Sequence, residues 1–230
     1  MALGLLLSMQ ATGAEPPAPS GAPPVPCTTE GFASLGRYRE ANVGLPESRR
    51  PRVVFIGDSI TESWAQEDGF KSHPEFVGRG IGGQTTPQML LRFHADVIAL
   101  HPAAVHIMAG TNDLAENTGP ETDDQIEAYI EAMAVLARAH GIQVILASIP
   151  PTQDFPWRPG LEPSPRIRRL NDWMRTYAGR KHLVYADYWH ALATSGGAMN
   201  PELSPDGVHP NARGYEIMLP ITQAAIGRLK

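Results

Sequence analysis

The feature that most constrains this chain is an alternation. Short, almost continuously apolar runs rich in β-branched residues are separated by stretches whose apolar residues recur at helical spacing. Residues 52–56 (Arg52-Val53-Val54-Phe55-Ile56), bounded by Pro51 and Gly57, read as a buried strand. Runs at 103–108, 143–148 and 183–186 read the same way, and the glycine-bearing run 76–80 is a weaker fifth. Between them the clearest helix is 123–140, where Ile126, Tyr129, Ile130, Met133, Leu136 and Ala137 share one face. Thr122 with Gln125 three residues on forms a capping box, and Gly141 stands where a left-handed residue ends a helix. Further helices are predicted over 32–42, 87–100, 165–178 and 212–229. Apolar strands that alternate with helices predict an α/β protein with a parallel sheet covered on both faces, whose active site lies at the carboxyl ends of the strands.

The first 27 residues read as outside that fold. An apolar stretch, Ala2-Leu3-Gly4-Leu5-Leu6-Leu7, is followed by the small residues Ala11-Thr12-Gly13-Ala14, the order of a signal peptide cleaved near Ala14. Without such a leader the chain would stay in the cytoplasm. The apolar stretch is far shorter than the roughly 20 residues that span a bilayer, so stable membrane insertion is not expected. Residues 15–27 are mostly Pro, Ala, Gly and Ser, a linker, which leaves 28–230 as a single domain. The only cysteine, Cys27, lacks the leucine expected three residues before a lipidated cysteine.

Composition narrows the chemistry. A net charge of -5, with no long basic block among the 19 Lys and Arg, lacks the footprint of nucleic-acid binding. One cysteine excludes a disulfide framework and a cysteine-built zinc site, and the histidines lack ligand spacing, so neither metal nor cofactor is expected.

Three segments fall at predicted strand ends, and a fourth just before the last predicted helix. Gly57-Asp58-Ser59-Ile60 puts a serine after the first strand, fit to be a nucleophile or a helix N-cap. Gly82-Gly83-Gln84 follows the second, as an oxyanion-binding amide or a plain turn. Gly110-Thr111-Asn112-Asp113 follows the third; Asn112 offers an uncharged NH2 donor or an Asx turn, and Asp113 is expected to order the loop. Asp206-Gly207-Val208-His209-Pro210 sets a carboxylate three residues from an imidazole, either as an orienter and base or as a capped surface loop.

In this order the four segments resemble the SGNH hydrolase superfamily, also called the GDSL esterase and lipase family, over the chain after about Thr28. The resemblance implies a flavodoxin-like three-layer α/β/α fold with a central parallel five-stranded sheet. It also implies Ser59 as nucleophile, His209 as general base, Asp206 as its orienting partner, and an oxyanion hole made of the Ser59 and Gly83 amides with the Asn112 side chain. One departure is visible: many members have serine before the second-block glycine and aspartate after it, where this chain has Gly82 and Gln84.

No long apolar lid or membrane-binding stretch is evident, so a small acyl group fits better than a long one. Phe155 and Trp157, between prolines in the loop after the fourth strand, are expected either to stack on a sugar or aryl group or to pack the loop down. Arg158 and Arg166 would meet an anionic leaving group or stay solvated. The expectation is a serine esterase that releases acetyl or other short acyl groups from a small-molecule or glycan ester. A lysophospholipase or thioesterase is the alternative on the same machinery, and a glycan- or flavin-binding module the alternative of another class. The sequence leaves the oligomeric state open.

Overall fold

The computed structural model describes residues 31–46 and 50–229. The expectations for 1–14, 15–27 and Cys27 lie outside the described residues. The elements run α1 (Arg39–Val43), β1 (Val53–Gly57), α2 (Ser59–Trp64), α3 (Asp68–Lys71), β2 (Phe76–Gly80), α4 (Thr86–Asp96), a 3-10 turn (Ile98–Leu100) and β3 (Ala104–Met108). There follow α5 (Thr111–Leu114), α6 (Asp123–Ala139), β4 (Gln143–Ala147), α7 (Ser164–Lys181), β5 (Val184–Ala186), α8 (Trp189–Leu192) and α9 (Ala212–Ile226).

All five strands pair in parallel, in the order β2-β1-β3-β4-β5. This is the doubly wound arrangement, in which the chain moves to one side of β1 and then crosses to the other. Successive strand residues point to opposite faces, and both faces are apolar. Val54, Ile56, Val105, Ile107, Val144 and Leu146 face a core closed by Met89 and Phe93 of α4, Ile130 and Met133 of α6, and Leu170 and Met174 of α7. Val53, Phe55, Met108, Ile145 and Ala147 face a second core with Ile60 and Trp64 of α2, Phe70 of α3, Leu192 of α8, and Tyr215 and Met218 of α9. The three-layer expectation therefore holds.

Local differences have local causes. The helix expected over 32–42 is reduced to Arg39–Val43. Ahead of it Gly31 and Ser34 are left-handed, at φ 59° and 51°. The Phe32 and Ala33 carbonyls, instead of closing helical turns, accept from the Gln88 and Gln84 side chains at 2.7 and 2.9 Å. The segment is thus a strap laid over the loop after β2. The helix expected over 87–100 breaks at Val97 into α4 and the 3-10 turn. The α6 capping box forms as read, with Thr122 and Gln125 exchanging hydrogen bonds of 2.8 and 3.2 Å, and Gly141 is left-handed at φ 73°.

Candidate active site

The site gathers at the carboxyl ends of β1 and β3, the point where the strand order reverses and where such sheets leave a crevice. Gly57 ends β1. A Cβ there would lie 2.1 Å from Thr61 Oγ1 and 2.8 Å from the Met108 carbonyl, so only glycine lets α2 start this close to the sheet. The N-cap of α2 is Asp58 rather than Ser59: the Asp58 carboxylate accepts from the Ile60 amide at 3.0 Å. Ser59 is thereby the first residue of the helix, with its hydroxyl free for other work. Asp58 is buried, and desolvation pushes its carboxyl up to about 6 against the opposing pull of the Ile60 amide and His209.

Ser59 Oγ lies 2.9 Å from His209 Nε2, and His209 Nδ1 lies 2.7 Å from Asp206 Oδ2. The turn that holds this pair is built within a few residues. Asp206 Oδ1 accepts from the Val208 and His209 amides at 2.9 and 2.8 Å and from the Ser204 hydroxyl at 3.2 Å. Partial burial opposes the Asp206 charge, but the hydrogen bonds from the His209 ring and from the two amides outweigh it and hold the carboxyl down at about 2. An ionised Asp206 draws the imidazole proton to Nδ1, which leaves the Nε2 lone pair facing the serine hydroxyl. Tyr215 of α9 donates to the Ile60 carbonyl of α2 at 2.9 Å and so ties the helix that follows the His209 turn to the helix that begins at Ser59.

The loops across from this turn have another construction. Gly83 is left-handed at φ 77°. Gly82 N–H donates to Glu62 Oε2 at 2.8 Å, and Glu62 Oε1 is paired with Arg37 of the strap at 3.0 Å. Gln84, where many members of the superfamily carry aspartate, donates to the Ala33 carbonyl and accepts from Arg92 Nε at 2.6 Å. Arg92 is fully buried and also donates to the Arg79 and Gly57 carbonyls at 2.8 and 2.9 Å and to Asp96 at 3.1 Å. One guanidinium therefore binds the end of β1, the end of β2 and the loop after β2.

Asn112 is buried in α5. Its Nδ2 donates to the Gln84 carbonyl at 3.1 Å and to Asp58 Oδ2 at 3.3 Å, and its Oδ1 accepts from Asn117 Nδ2 at 2.8 Å. Among the described residues the Ser59 and Gly83 amides donate to no protein acceptor. Asp113 orders the loop as expected: buried, it accepts from the Thr86 amide at 2.9 and 3.1 Å and from the Thr86 hydroxyl.

The aromatic pair divides. Phe155 is fully buried in the core and offers no face to a ligand, whereas Trp157 is 43% exposed, with its ring 6.0 Å from that of His209 and 5.3 Å from that of Phe155. The two arginines are matched by carboxylates, Arg158 by Glu116 at 3.1 Å and Arg166 by Asp123 at 2.7 Å. Among the described residues no cluster of three or more His, Cys, Asp or Glu is arranged to hold a metal ion, and no helix is long and apolar enough to cross a membrane.

Sequence reading passed over Glu62, Arg92 and Asn117. Arg92 had a signal: Met89, Arg92, Phe93 and Asp96 fall on one helical stripe, so an opposite-charge pair four residues apart lies in line with core residues. Glu62 and Asn117 had none, since the loop glycines they hold, Gly82 and Gly83, lie 20 and 34 residues away.

A hydroxyl, an imidazole and a carboxylate in hydrogen-bonded file, beside backbone amides with no protein acceptor, form an arrangement suited to acyl transfer. Comparison with known proteins agrees with that chemistry. Residues 55–217 match the GDSL-like lipase/acylhydrolase family. A Bacteroides fragilis protein described as an acylhydrolase is 43% identical, with a TM-score of 0.82 over 86% of this chain and 99% of its own. A GDSL-like lipase from Bacteroides thetaiotaomicron is 42% identical, with a TM-score of 0.81 over 86% of this chain and 98% of its own. An uncharacterized lipoprotein of Bacillus subtilis, YqeF, is 28% identical over 72% of this chain and 85% of its own. The chain belongs to the GDSL-like lipase/acylhydrolase family, within the SGNH hydrolase superfamily, and is an ester-cleaving hydrolase.

Proposed function

We propose that this enzyme is a serine esterase that releases short acyl groups, acetyl foremost, from carbohydrate through Ser59, His209 and Asp206. The observation that carries the reading is the unbroken file from Ser59 Oγ to His209 Nε2 at 2.9 Å and from His209 Nδ1 to Asp206 at 2.7 Å. A serine hydroxyl is a weak nucleophile until a base takes its proton. Neutral His209 accepts that proton as Ser59 Oγ bonds to the ester carbonyl carbon, and ionised Asp206 steadies the resulting imidazolium. The oxyanion so formed accepts from the Ser59 and Gly83 amides and from Asn112 Nδ2, which exchanges its longer bond, to Asp58, for the oxyanion. His209 then protonates the departing alcohol oxygen as its bond to the acyl carbon breaks. Water attacks the acyl-enzyme by the same route and restores Ser59.

Two observations support a sugar on the leaving side. Trp157 presents an exposed aromatic face beside His209. The cavity that borders Asp206 and Gly207 sets the exposed Gln153 and Asp154 beside Pro156 and Met199, a mixture of polar groups and apolar surface that suits a sugar's hydroxyls and its C–H face. An acetylxylan esterase from Geobacillus stearothermophilus shares the fold at 23% identity, with a TM-score of 0.63 over 77% of this chain and 94% of its own. In the same reading residues 1–14 are a signal peptide and 15–27 a linker, the catalytic domain is 28–230, and the enzyme works outside the cytoplasm; the lipoprotein relative supports that placement.

The test is fluorophosphonate labelling with the Ser59→Ala variant as control, then hydrolysis of p-nitrophenyl esters from acetyl to decanoyl and acetate release from acetylated xylan. Labelling lost in Ser59→Ala, with turnover highest for acetyl, is expected. An unlabelled wild-type protein would refute Ser59 as the nucleophile, and a preference for decanoyl would indicate a lysophospholipase or thioesterase.

A further inference from the structure

Asn117 is a surface residue that none of the chemistry above uses, yet its carboxamide is fully engaged. One Nδ2 hydrogen goes to the Gly83 carbonyl at 3.1 Å and the other to Asn112 Oδ1 at 2.8 Å, while its Oδ1 accepts from Trp157 Nε1 at 3.2 Å. Those three partners are two of the proposed oxyanion donors and the exposed aromatic beside His209. We infer that Asn117 is a positioning residue: through one side chain it aims the Gly83 amide and the Asn112 NH2 group and couples both to the loop that carries Trp157.

The physical need is clear at Gly82-Gly83. Two glycines in succession leave the peptide between them free to rotate, and a left-handed Gly83 at φ 77° gains no restraint from a side chain. The loop is pinned on both sides of that peptide, by Glu62 on the Gly82 amide at 2.8 Å and by Asn117 on the Gly83 carbonyl at 3.1 Å. Asn117 fixes the second donor by the opposite logic. By donating to Asn112 Oδ1 at 2.8 Å it anchors the oxygen end of that carboxamide, while the Gln84 carbonyl and Asp58 accept from the NH2 end, so the donor is held from both ends. Preorganised donors stabilise an oxyanion because no reorganisation is left to do at the moment of reaction.

The fold does not depend on this side chain. The Asn117 amide still donates to the Asn112 carbonyl at 3.0 Å, and Thr118 still meets Thr85, hydroxyl to hydroxyl, at 3.1 Å. Removal of the carboxamide therefore loosens the donors without freeing the loop that bears them.

This inference rests on the serine-esterase reading, so the experiment begins with fluorophosphonate labelling of the wild type. Asn117→Ala and the isosteric Asn117→Asp, which keeps the acceptor for Trp157 but cannot donate, are then compared on p-nitrophenyl acetate and on a trifluoromethyl ketone that forms an oxyanion on Ser59. Both variants are expected to lose roughly 10- to 100-fold in kcat, the scale of a small misplacement of catalytic groups. The ketone Ki should rise in parallel, while KM and Tm stay close to wild type. Trp157→Phe, which lacks the indole N–H, should lose less in kcat than either Asn117 variant, because the Asn117 donor bonds remain. An unlabelled wild type would overturn the esterase reading and this inference together. A labelled wild type whose Asn117→Ala and Asn117→Asp forms keep kcat and ketone Ki within twofold would overturn this inference alone, as would losses that merely follow a lowered Tm.

Discussion

Two sides of one crevice are held in opposite ways. On one side, Asp206 and His209 are three residues apart, and their turn is fastened by bonds that it makes to itself, from the His209 and Val208 amides and from Ser204. On the other side, Gly83 and Asn112 are aimed by residues scattered through the chain: Glu62 through Gly82, Arg92 and the strap through Gln84, and Asn117 on both. The difference teaches that the proposed base and its orienter form a local unit that a short sequence can encode. The proposed oxyanion side exists only when the first, second and third strands, α4 and the strap are in place together.

The comparison can be broken or sharpened by mutation. The largest effect is expected on the local side. Asp206→Asn removes the charge that selects the His209 tautomer but leaves the chain path intact, and should lower kcat by roughly 10⁴-fold, with Tm little changed. A loss confined to KM would separate Asp206 from the base. On the distributed side, Arg92→Met should act on stability before chemistry. It leaves Asp96 buried without its charged partner and strips the Gly57 and Arg79 carbonyls of their guanidinium hydrogen bonds, a cost of about 3–5 kcal/mol in denaturant unfolding. Unfolding at the wild-type midpoint would show that this guanidinium is not what joins the two strand ends. Asn112→Ala should cost on the order of 100- to 1000-fold in kcat as one oxyanion donor is lost, and an unchanged kcat would remove Asn112 from that role.

The smallest effect lies away from both sides. His106 of β3 is fully buried, and desolvation drives its imidazole down to about 3. It is neutral in the folded protein, with Nε2 2.9 Å from the Tyr188 hydroxyl. Between that value and the usual unfolded value near 6.5 the unfolded chain binds the proton that the folded one refuses, so stability is full above about pH 6.5 and is lost as pH falls toward 3. The slope from this one group is at most about 1.4 kcal/mol per pH unit, and His106→Phe should flatten it in urea titrations at pH 4 to 7. An identical slope in the variant would assign the acid sensitivity elsewhere.

How much was legible follows the same division. The strands were readable because both sheet faces are apolar, as in Val53-Val54-Phe55-Ile56, where every residue is buried. The α6 capping box was readable because its partners are three residues apart. The run 32–42 misled: its composition favours helix, but its carbonyls found side chains of α4 and its loop instead, a tertiary competition invisible to local propensity. Ser59 as a helix cap misled by one residue, because Asp58 is the better acceptor at that turn. Phe155 and Trp157 look alike in sequence, and only packing decided that one is core and the other rim.

By itself the sequence determined what short-range physics encodes: strand and helix periodicity, the capped helix starts, and a carboxylate set three residues from an imidazole. The tertiary structure alone decided that Ser59 meets His209 across 150 residues. It alone decided that Arg92 binds two strand ends, and that one surface asparagine touches both proposed oxyanion loops. The reason is that a hydrogen bond between distant segments leaves no periodic trace in either, since each partner is chosen by where the parallel sheet brings the chain, and not by its neighbours in sequence.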